Sequence, residues 1–270
     1  MEYRQRAGIL LEAALRLAIS LKSYRLTATI IEAVTMFRLG MPNVSEEQVN
    51  EYEKLMRRQH VASLGDDETA KDLQCLPRLQ VLEKSIETAG EDEIATGDTV
   101  TVEVSLDRLH AEGFTRQKMA GLQKQGLPPQ LALANYIEAW WVLVRAIPVG
   151  STTSDRPTTK IDQNSMTQTL DPADVAKFES QPENVRLYTA WPMLVQNIAQ
   201  KTGTAKVKFT APSVPGKYQI LISLKSQDFL GADQDVEFEV DVVDAATVER
   251  KNKEEQGGEA EEDEEPKKDK

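Results

Sequence analysis

The apolar residues of this chain change their spacing at Pro77. Before it, apolar side chains recur about every 3.6 residues, as they do on one face of a helix. After it, apolar and polar residues alternate, as they do along a strand with one buried face. One pattern cannot satisfy both geometries, so the chain has to combine a helical unit with a β-sheet unit. We therefore predict an α+β, multidomain architecture.

The helical unit is predicted to span residues 1–76. Residues 2–39 follow the helical period, with a break near Ser23 and apolar positions at Ile9, Leu10, Ala13, Leu17, Leu21, Ile30, Ile31, Val34 and Phe37. A glycine followed by a proline typically ends a helix, and Gly40 and Pro42 do so here. Ser45 and Gln48 form a capping box that predicts a third helix to about Leu64. A further short helical piece is predicted from Thr69 to Leu76.

The sheet unit is predicted to span residues 77–245. Its clearest strand is 99–106, where Val100, Val102, Val104 and Leu106 share one face. A hairpin joins that strand to the alternating residues after Pro77. Further strands are predicted at 140–144, 185–195, 205–209, 218–224 and 236–242. About seven short strands separated by turn residues are typical of a β-sandwich.

Two insertions interrupt the predicted sandwich, and an acidic tail follows it. Residues 111–135 have a helix-like apolar pattern that Pro128 and Pro129 break. Residues 148–184 are rich in Ser, Thr, Asp, Gln and Pro, and predict a long mobile loop. Residues 246–270 lack an apolar anchor and contain a run of carboxylates, so we predict a disordered tail.

Charge and cysteine content exclude several classes of function. The net charge is -12 and the pI is about 4.8, which disfavours broad attraction to nucleic acid or anionic lipid and favours a basic partner. The single cysteine, Cys75, excludes an internal disulfide and is interpreted as a packing residue. The most apolar stretch, 9–21, is too short and too charged to span a membrane, so we expect a soluble chain.

The inventory of reactive side chains predicts that the chain is not an enzyme. Neither histidine, His60 or His110, has Cys, His or carboxylate neighbours at metal-ligand spacing. Phosphate-binding glycine loops and the nucleophile-elbow pattern are both absent from the sequence. The acidic residues 91–93 are interpreted as a solvated turn, with a hard-cation site as the less favoured alternative. We expect no cofactor and no bound metal, while a carboxylate pair assembled by the fold stays a distant alternative.

One segment is specific enough to indicate a family. Residues 211–226 contain Pro215, Gly216 and Tyr218 and lead into the turn with Phe229, Gly231, Asp233 and Gln234. This segment closely resembles the end of the Sec-sixty-three domain, and Trp140 and Trp141 match the paired tryptophans of that domain's central strand. The resemblance extends over about residues 1–245, with gaps at the two insertions. It implies a helical unit packed on an immunoglobulin- or fibronectin-like β-sandwich.

The resemblance also implies a function and partners. In the translocation subunit of the endoplasmic reticulum, this domain is a non-enzymatic scaffold on the cytosolic side of the Sec channel. Its acidic tail binds a basic segment of a companion membrane subunit, which would involve Glu259, Glu261, Glu262, Asp263, Glu264 and Glu265 here. The chain has no His-Pro-Asp tripeptide, so no Hsp70 recruitment is implied, and no direct nucleic-acid binding is expected. The alternative is the helicase-associated form of the domain, which regulates RNA unwinding.

The same residues have physical roles that the sequence predicts. Gly216 supplies a turn that needs positive φ, and Tyr218 can bury its ring while its hydroxyl bonds to backbone at a sheet corner. Trp140 and Trp141 must point to opposite faces of one strand. One of them should therefore fill the core, and the other should meet a neighbouring element. We interpret all of these motif residues as determinants of the fold rather than as partner contacts.

Overall fold

A computed structural model describes residues 2–39, 77–89, 93–150, 186–229 and 231–248. Several predicted features lie outside these ranges. They are the third helix and the short helical piece after it, the loop of 148–184 beyond Gly150, and the tail beyond Val248.

The chain begins with two helices, α1 (Glu2–Ser20) and α2 (Tyr24–Leu39). They are separated by a turn in which Lys22 adopts a positive φ of 55°. The Ser23 hydroxyl accepts a hydrogen bond from the Leu26 N–H at 3.3 Å, and the Ser23 carbonyl accepts one from the Thr27 N–H. These contacts begin α2 and confirm the predicted break near Ser23.

The buried face of α1 differs from the one that the sequence predicts. Ile9 and Leu10 are 60% and 70% exposed, and Leu17 is exposed as well. Among the residues of α1 whose burial is described, Leu15 and Ala18 are buried. Leu15 packs with Ile31 of α2 and Leu187 of strand β5 (defined below). The helix was therefore predicted correctly, but its orientation was not.

Eight strands follow in the described residues. Their bounds are β1 (Leu79–Thr88), β2 (Ile94–Ala95), β3 (Thr99–Arg108), β4 (Glu138–Pro148), β5 (Leu187–Val195), β6 (Thr202–Thr210), β7 (Gly216–Ser226) and β8 (Gln234–Val243). Every strand predicted from alternation is present, and most extend a few residues beyond the predicted limits.

The strands form two sheets. One has the order β1-β3-β6, and the other has the order β2-β8-β7-β4-β5. All pairings are antiparallel except that of the two-residue strand β2 with β8. The predicted hairpin is present, with Ile86 of β1 opposite Val102 of β3.

The two sheets enclose the main core. Alternate residues of β3 point into this core. The four residues predicted to share its buried face are each at most 1% exposed: Val100, Val102, Val104 and Leu106. From the opposite sheet, Trp140, Val142 and Val144 of β4 and Ile220, Ile222 and Leu224 of β7 meet them. The fold is thus a sandwich of two sheets with helices added.

The helices cover the outer face of the five-stranded sheet. Leu143 of β4 and Leu187 of β5 form a second buried cluster with Leu15 of α1 and Ile31 of α2. Trp141 packs against the same cluster, whereas Trp140 is fully buried between the sheets. The prediction that the two tryptophans serve opposite faces is confirmed.

Two more helices occupy the first predicted insertion. Helix α3 (Ala111–Lys124) ends before Pro128, and the short helix α4 (Leu131–Asn135) leads into β4. Phe114 and Leu122 of α3, Ala132 of α4 and Ile198 form a third buried cluster. At the other end of the chain, a helical turn begins at Ala245, so regular structure passes the predicted boundary at 245 and reaches Val248.

The start of β7 has the predicted corner. Tyr218 is buried, and its hydroxyl donates a hydrogen bond to the Val214 carbonyl at 2.9 Å. Gly216, between them, has a φ of 150°, a region that side-chain-bearing residues rarely adopt. The tyrosine hydroxyl and the glycine together fix how the chain turns from one sheet to the other.

We predict that Gly216→Val destabilises the protein by about 1–3 kcal/mol, because a β-branched residue resists this φ. Gly203→Val is the matched control. Gly203 lies in β6 with a φ that other residues tolerate, and an added Cβ there would meet no atom within 4 Å. Chemical denaturation of both variants measures the difference. Equal stability of Gly216→Val and the parent would show that the corner does not depend on this glycine.

Candidate functional site

Four polar side chains meet inside the protein where β3 ends and β4 begins. Arg108, His110, Glu138 and Trp140 are all at most 2% exposed. The Arg108 guanidinium pairs with the Glu138 carboxylate, and the indole N–H of Trp140 donates to the same carboxylate at 2.6 Å. Arg108 also donates to the carbonyls of Ile198 and Gln200. The cluster therefore ties both sheets to the segment between β5 and β6.

His110 completes this cluster through both of its ring nitrogens. Its Nε2 lies 3.0 Å from each carboxylate oxygen of Glu138. Its Nδ1 lies 3.0 Å from both the amide nitrogen and the carbonyl oxygen of Arg78. A neutral ring can accept from that N–H, and a protonated ring can donate to that carbonyl. The ring thus has partners in either form, and it fixes the chain just before β1.

The cluster keeps Glu138 ionised. Burial by itself would raise the pKa of Glu138, because water no longer solvates the carboxylate. The hydrogen bonds and charges of His110 and Arg108 outweigh this effect and lower the pKa from 4.5 to about 2. Each of the four side chains bonds to other protein atoms, although the buried Nε of Arg108 has no hydrogen-bond partner among the described residues. The arrangement is suited to holding the fold together.

Sequence reasoning missed this cluster. In the sequence, His110 has no carboxylate neighbour at metal-ligand spacing. Glu138 is 28 residues further along the chain, and the fold brings its carboxylate into contact with the His110 ring. The available signal was Glu138 itself, a charged residue directly before the apolar run 139–144. A carboxylate in such a position must find partners when the strand is buried.

A second ionic cluster lies between α2 and the five-stranded sheet. Lys225 of β7 is buried and donates to Glu32 of α2 at 3.0 Å and to Asp233 at 2.6 Å. Burial opposes the charged lysine, but these two carboxylates raise its pKa above the usual value. The pKa of Asp233 is also raised, because the effect of its burial exceeds that of its pairing with Lys225. Lys225 is thus held in its charged form between a helix and a strand.

Neutral hydrogen bonds reinforce the same contact. The Tyr24 and Ser223 hydroxyls are 2.9 Å apart, and the Thr35 hydroxyl donates to the Ser226 carbonyl at 3.2 Å. The Arg145 guanidinium lies 4.3 Å from the centre of the Tyr24 ring. We call this set the helix–sheet joint: Tyr24, Glu32, Thr35, Ser223 and Lys225. It joins α2 to β7 with polar contacts on both sides of the apolar cluster.

The motif residues of the predicted family resemblance lie in three places: in the core, near this joint, and at the corner before β7. Asp233 bonds to Lys225, Gly231 has a positive φ of 74°, and Gln234 begins β8 opposite Leu224. Pro215 and Gly216 are exposed at the corner before Tyr218. The structure therefore gives Trp140, Trp141 and Tyr218 packing contacts inside the protein, and gives the partly exposed Asp233 an ion pair with Lys225.

The other predicted site residues lie outside the described ranges. These are the six tail carboxylates (Glu259, Glu261, Glu262, Asp263, Glu264 and Glu265). His60, for which no ligand role is predicted, and Cys75, interpreted as a packing residue, lie outside these ranges as well. Of the acidic turn at 91–93, only Glu93 is described. Within the described ranges, no three His, Cys, Asp or Glu side chains are grouped as metal ligands would be. No described helix combines the length and hydropathy needed to cross a bilayer.

Comparisons with known proteins do not identify a family. No family model matches the sequence, and no curated protein matches it. Among solved structures, the CARDB domain of a Pyrococcus furiosus protein, in complex with di-metal ions, is 12% identical over 63% of this chain and 96% of that one, with a TM-score of 0.29. A glycosyl hydrolase family 2 member from Bacteroides cellulosilyticus is 9% identical over 61% of this chain and 15% of that one, with a TM-score of 0.29. Red sea bream transglutaminase is 10% identical over 75% of this chain and 19% of that one, with a TM-score of 0.25.

We predict that Glu138→Gln lowers the free energy of unfolding by about 3–5 kcal/mol, because it leaves the buried Arg108 without its counter-ion. Glu103→Gln is the matched control, since Glu103 of β3 pairs with Lys206 of β6 at 2.9 Å on the exposed face of the three-stranded sheet. That variant should melt like the parent. Urea titration distinguishes them, and similar losses in both would contradict a special role for the buried pair.

The same pair predicts how stability depends on pH. The folded-state pKa of Glu138 is about 2, below the value of 4.5 expected for an unfolded chain. Its contribution to stability is therefore complete above about pH 4.5 and is lost as the pH falls towards 2. The difference in unfolding free energy between the parent and Glu138→Gln should be constant near neutrality and should narrow in that acidic range. A difference that does not vary with pH would exclude this linkage.

Proposed function

We propose that this chain is a non-enzymatic scaffold of the protein-translocation machinery of the endoplasmic reticulum. In this role it docks on the cytosolic side of the Sec channel and on companion membrane subunits. The observation that supports the proposal most is the helix–sheet joint. Asp233, from the segment that resembles the Sec-sixty-three domain, bonds to Lys225 at the centre of this joint. A scaffold of this kind needs its helices and its sandwich held in one fixed arrangement.

The topology supports the finer classification of the sandwich as immunoglobulin- or fibronectin-like. The chain crosses between the sheets from β3 to β4, from β5 to β6 and from β6 to β7. Such crossings are typical of Greek-key sandwiches of this kind. The bond from Tyr218 to the Val214 carbonyl corresponds to the tyrosine corner found at the same position in many of them.

The way in which charge is used inside the protein favours a scaffold over an enzyme. Arg108, Glu138 and Lys225 are buried, and each is bonded to protein atoms. A catalytic acid or base must instead reach a substrate from a cleft. These groups lie where a substrate cannot approach them. Their arrangement is one that stabilises a binding platform.

The acidic tail supplies the second part of the proposal. The carboxylates between Glu259 and Glu265 form a dense run of negative charge in the sequence. Such a run attracts a basic segment, and the attraction is strongest at low ionic strength because salt screens it. We infer that a basic cytosolic segment of a companion subunit binds this run. Lys267, Lys268 and Lys270 reduce its net charge, so the contact is expected to be weak.

A pull-down from detergent-solubilised endoplasmic reticulum membranes tests the proposal. The intact chain should recover the Sec channel and a companion subunit, whereas a chain ending at Ala246 should recover less of the companion. The difference should fade between 0.01 M and physiological salt, where the screening length falls from about 30 Å to about 8 Å. Deletion of the tail should leave the melting transition nearly unchanged.

Two outcomes would count against this function. Equal recovery of the companion subunit by both chains at low salt would remove the tail from the mechanism. Recovery of neither component by the intact chain would contradict the translocation assignment. Co-purification with ATPase domains and spliceosomal RNA would instead favour the helicase-associated alternative.

A further inference from the structure

Strand β8 has one open backbone edge. It pairs with β7 on one side along its length, whereas on its other side β2 pairs only with Val242 and Val243. Within the described ranges, no other strand pairs with this second side of β8. An open edge exposes N–H and C=O groups that can form hydrogen bonds with an added strand.

Two hydrogen bonds show which residues of β8 direct their backbone groups towards this edge. The Glu237 carbonyl accepts from the Lys84 amine of β1 at 2.6 Å, and the Val243 carbonyl accepts from the backbone N–H that follows β2 at 2.9 Å. Successive residues of a strand direct their backbone groups to opposite sides. Glu239 and Asp241 lie at alternate positions between these two carbonyls. Their N–H and C=O groups therefore point away from β7, towards the open edge.

An apolar groove lies beside this edge, between β8 and the end of β1. Ile86 of β1, Ile94 of β2 and Val240 of β8 line it, and each of them is only partly buried. Alternate side chains of an added strand would point to the inner face of the sheet, where these three residues lie. One face of such a strand therefore has apolar contacts available to it.

The outer face of β8 is acidic. The apolar residues of β8 point inwards, so four exposed carboxylates make up its outward-facing row: Asp235, Glu237, Glu239 and Asp241. Arg145 pairs with Asp235 at 3.4 Å, and Lys217 of β7 lies opposite Asp241. These two cations do not balance the four carboxylates. The outer side chains of an added strand would thus lie next to a row with net negative charge.

This charge selects the kind of strand that the edge accepts. Opposite charges on neighbouring strands stabilise their pairing, and like charges placed opposite each other destabilise it. Two β8 strands from two copies of the chain would bring their carboxylates together, so this pairing is disfavoured. A strand with a basic residue at every second position would complement the row and would place its other residues over the groove.

We propose that the open edge of β8 binds an extended peptide segment in which basic and apolar residues alternate. Its backbone would form hydrogen bonds with Glu239 and Asp241. In binding by strand addition, backbone hydrogen bonds supply affinity and alternate side chains supply specificity. A segment that continues to Glu237 would replace the Lys84 amine at the carbonyl there. The inference goes beyond the proposed function, because it places a peptide site on the sandwich and does not involve the tail.

Binding of two short synthetic peptides to the full chain tests the proposal. One peptide alternates Lys and Val, and the other has the same composition with all of its lysines at one end. Fluorescence anisotropy should show that the alternating peptide binds about fivefold or more tightly, because it alone can place every lysine on one face of a strand. The acidic tail attracts both peptides through the same total charge. The ratio of the two affinities therefore reports on the β8 edge.

Variants of β8 locate the binding site. Glu239→Pro removes an N–H that points to the open edge and keeps the bonds to β7, so it should weaken binding of the alternating peptide by about fivefold or more. If this variant melts early, Glu239→Gln combined with Asp241→Asn replaces it, with binding about threefold weaker. The matched control is Glu103→Gln combined with Asp107→Asn, which removes two carboxylates from the outer face of β3. This control should bind like the parent.

The peptide experiment and the pull-down can fail independently. Equal affinity for the two peptides, or unchanged binding in both edge variants, would overturn the β8 site even if the companion subunit is still recovered from membranes. Self-association that Glu239→Pro abolishes, without a preference for the alternating peptide, would assign the edge to a second copy and would also overturn the proposal. Failure of the pull-down together with a clear preference for the alternating peptide would contradict only the translocation role.

Discussion

Strand β4 is buried on both faces, and the rest of the structure depends on this constraint. Trp140 and Val142 fill the space between the sheets, while Trp141 and Leu143 pack beneath the helices. A strand with two apolar faces cannot be exposed on either side without a large loss of hydrophobic stabilisation. The helices and the three-stranded sheet are both required to cover it. This requirement makes them parts of one structural unit.

Polar contacts determine how the helices and sheets are oriented relative to one another, which apolar packing alone does not. Hydrophobic burial is non-directional, so it alone would not set how α2 lies on the sheet. The helix–sheet joint sets this position through bonds to Ser223 and Lys225 of β7. The buried cluster at Glu138 has the same role where β3 and β4 meet. Both sets of polar contacts thus add direction to the apolar packing of the helices and the sheets.

The sequence was informative where local periodicity decides the structure. Alternation located β3 and its four core residues, and it predicted that Trp140 and Trp141 serve opposite faces. Alternation could not predict the contact between His110 and Glu138. These residues are 28 positions apart in the sequence, and they meet only because the end of β3 lies next to the start of β4 in the fold. The helical period also assigned Ile9 and Leu10 to the buried face of α1, whereas Leu15 and Ala18 are buried. Periodicity shows that a helix has an apolar face but not which residues the neighbouring elements cover.

Hydrogen exchange of the intact chain tests most directly whether the helices and the sandwich form one unit. Amides that open only in global unfolding share a single opening free energy, whereas a separately unfolding part has a lower one. Measured across increasing denaturant, the amides of α2 and of β7 should converge on the same opening free energy. A value for α2 several kcal/mol below that of β7 would show that the helices open while the sandwich stays folded. That result would contradict the rigid platform on which the proposed function rests.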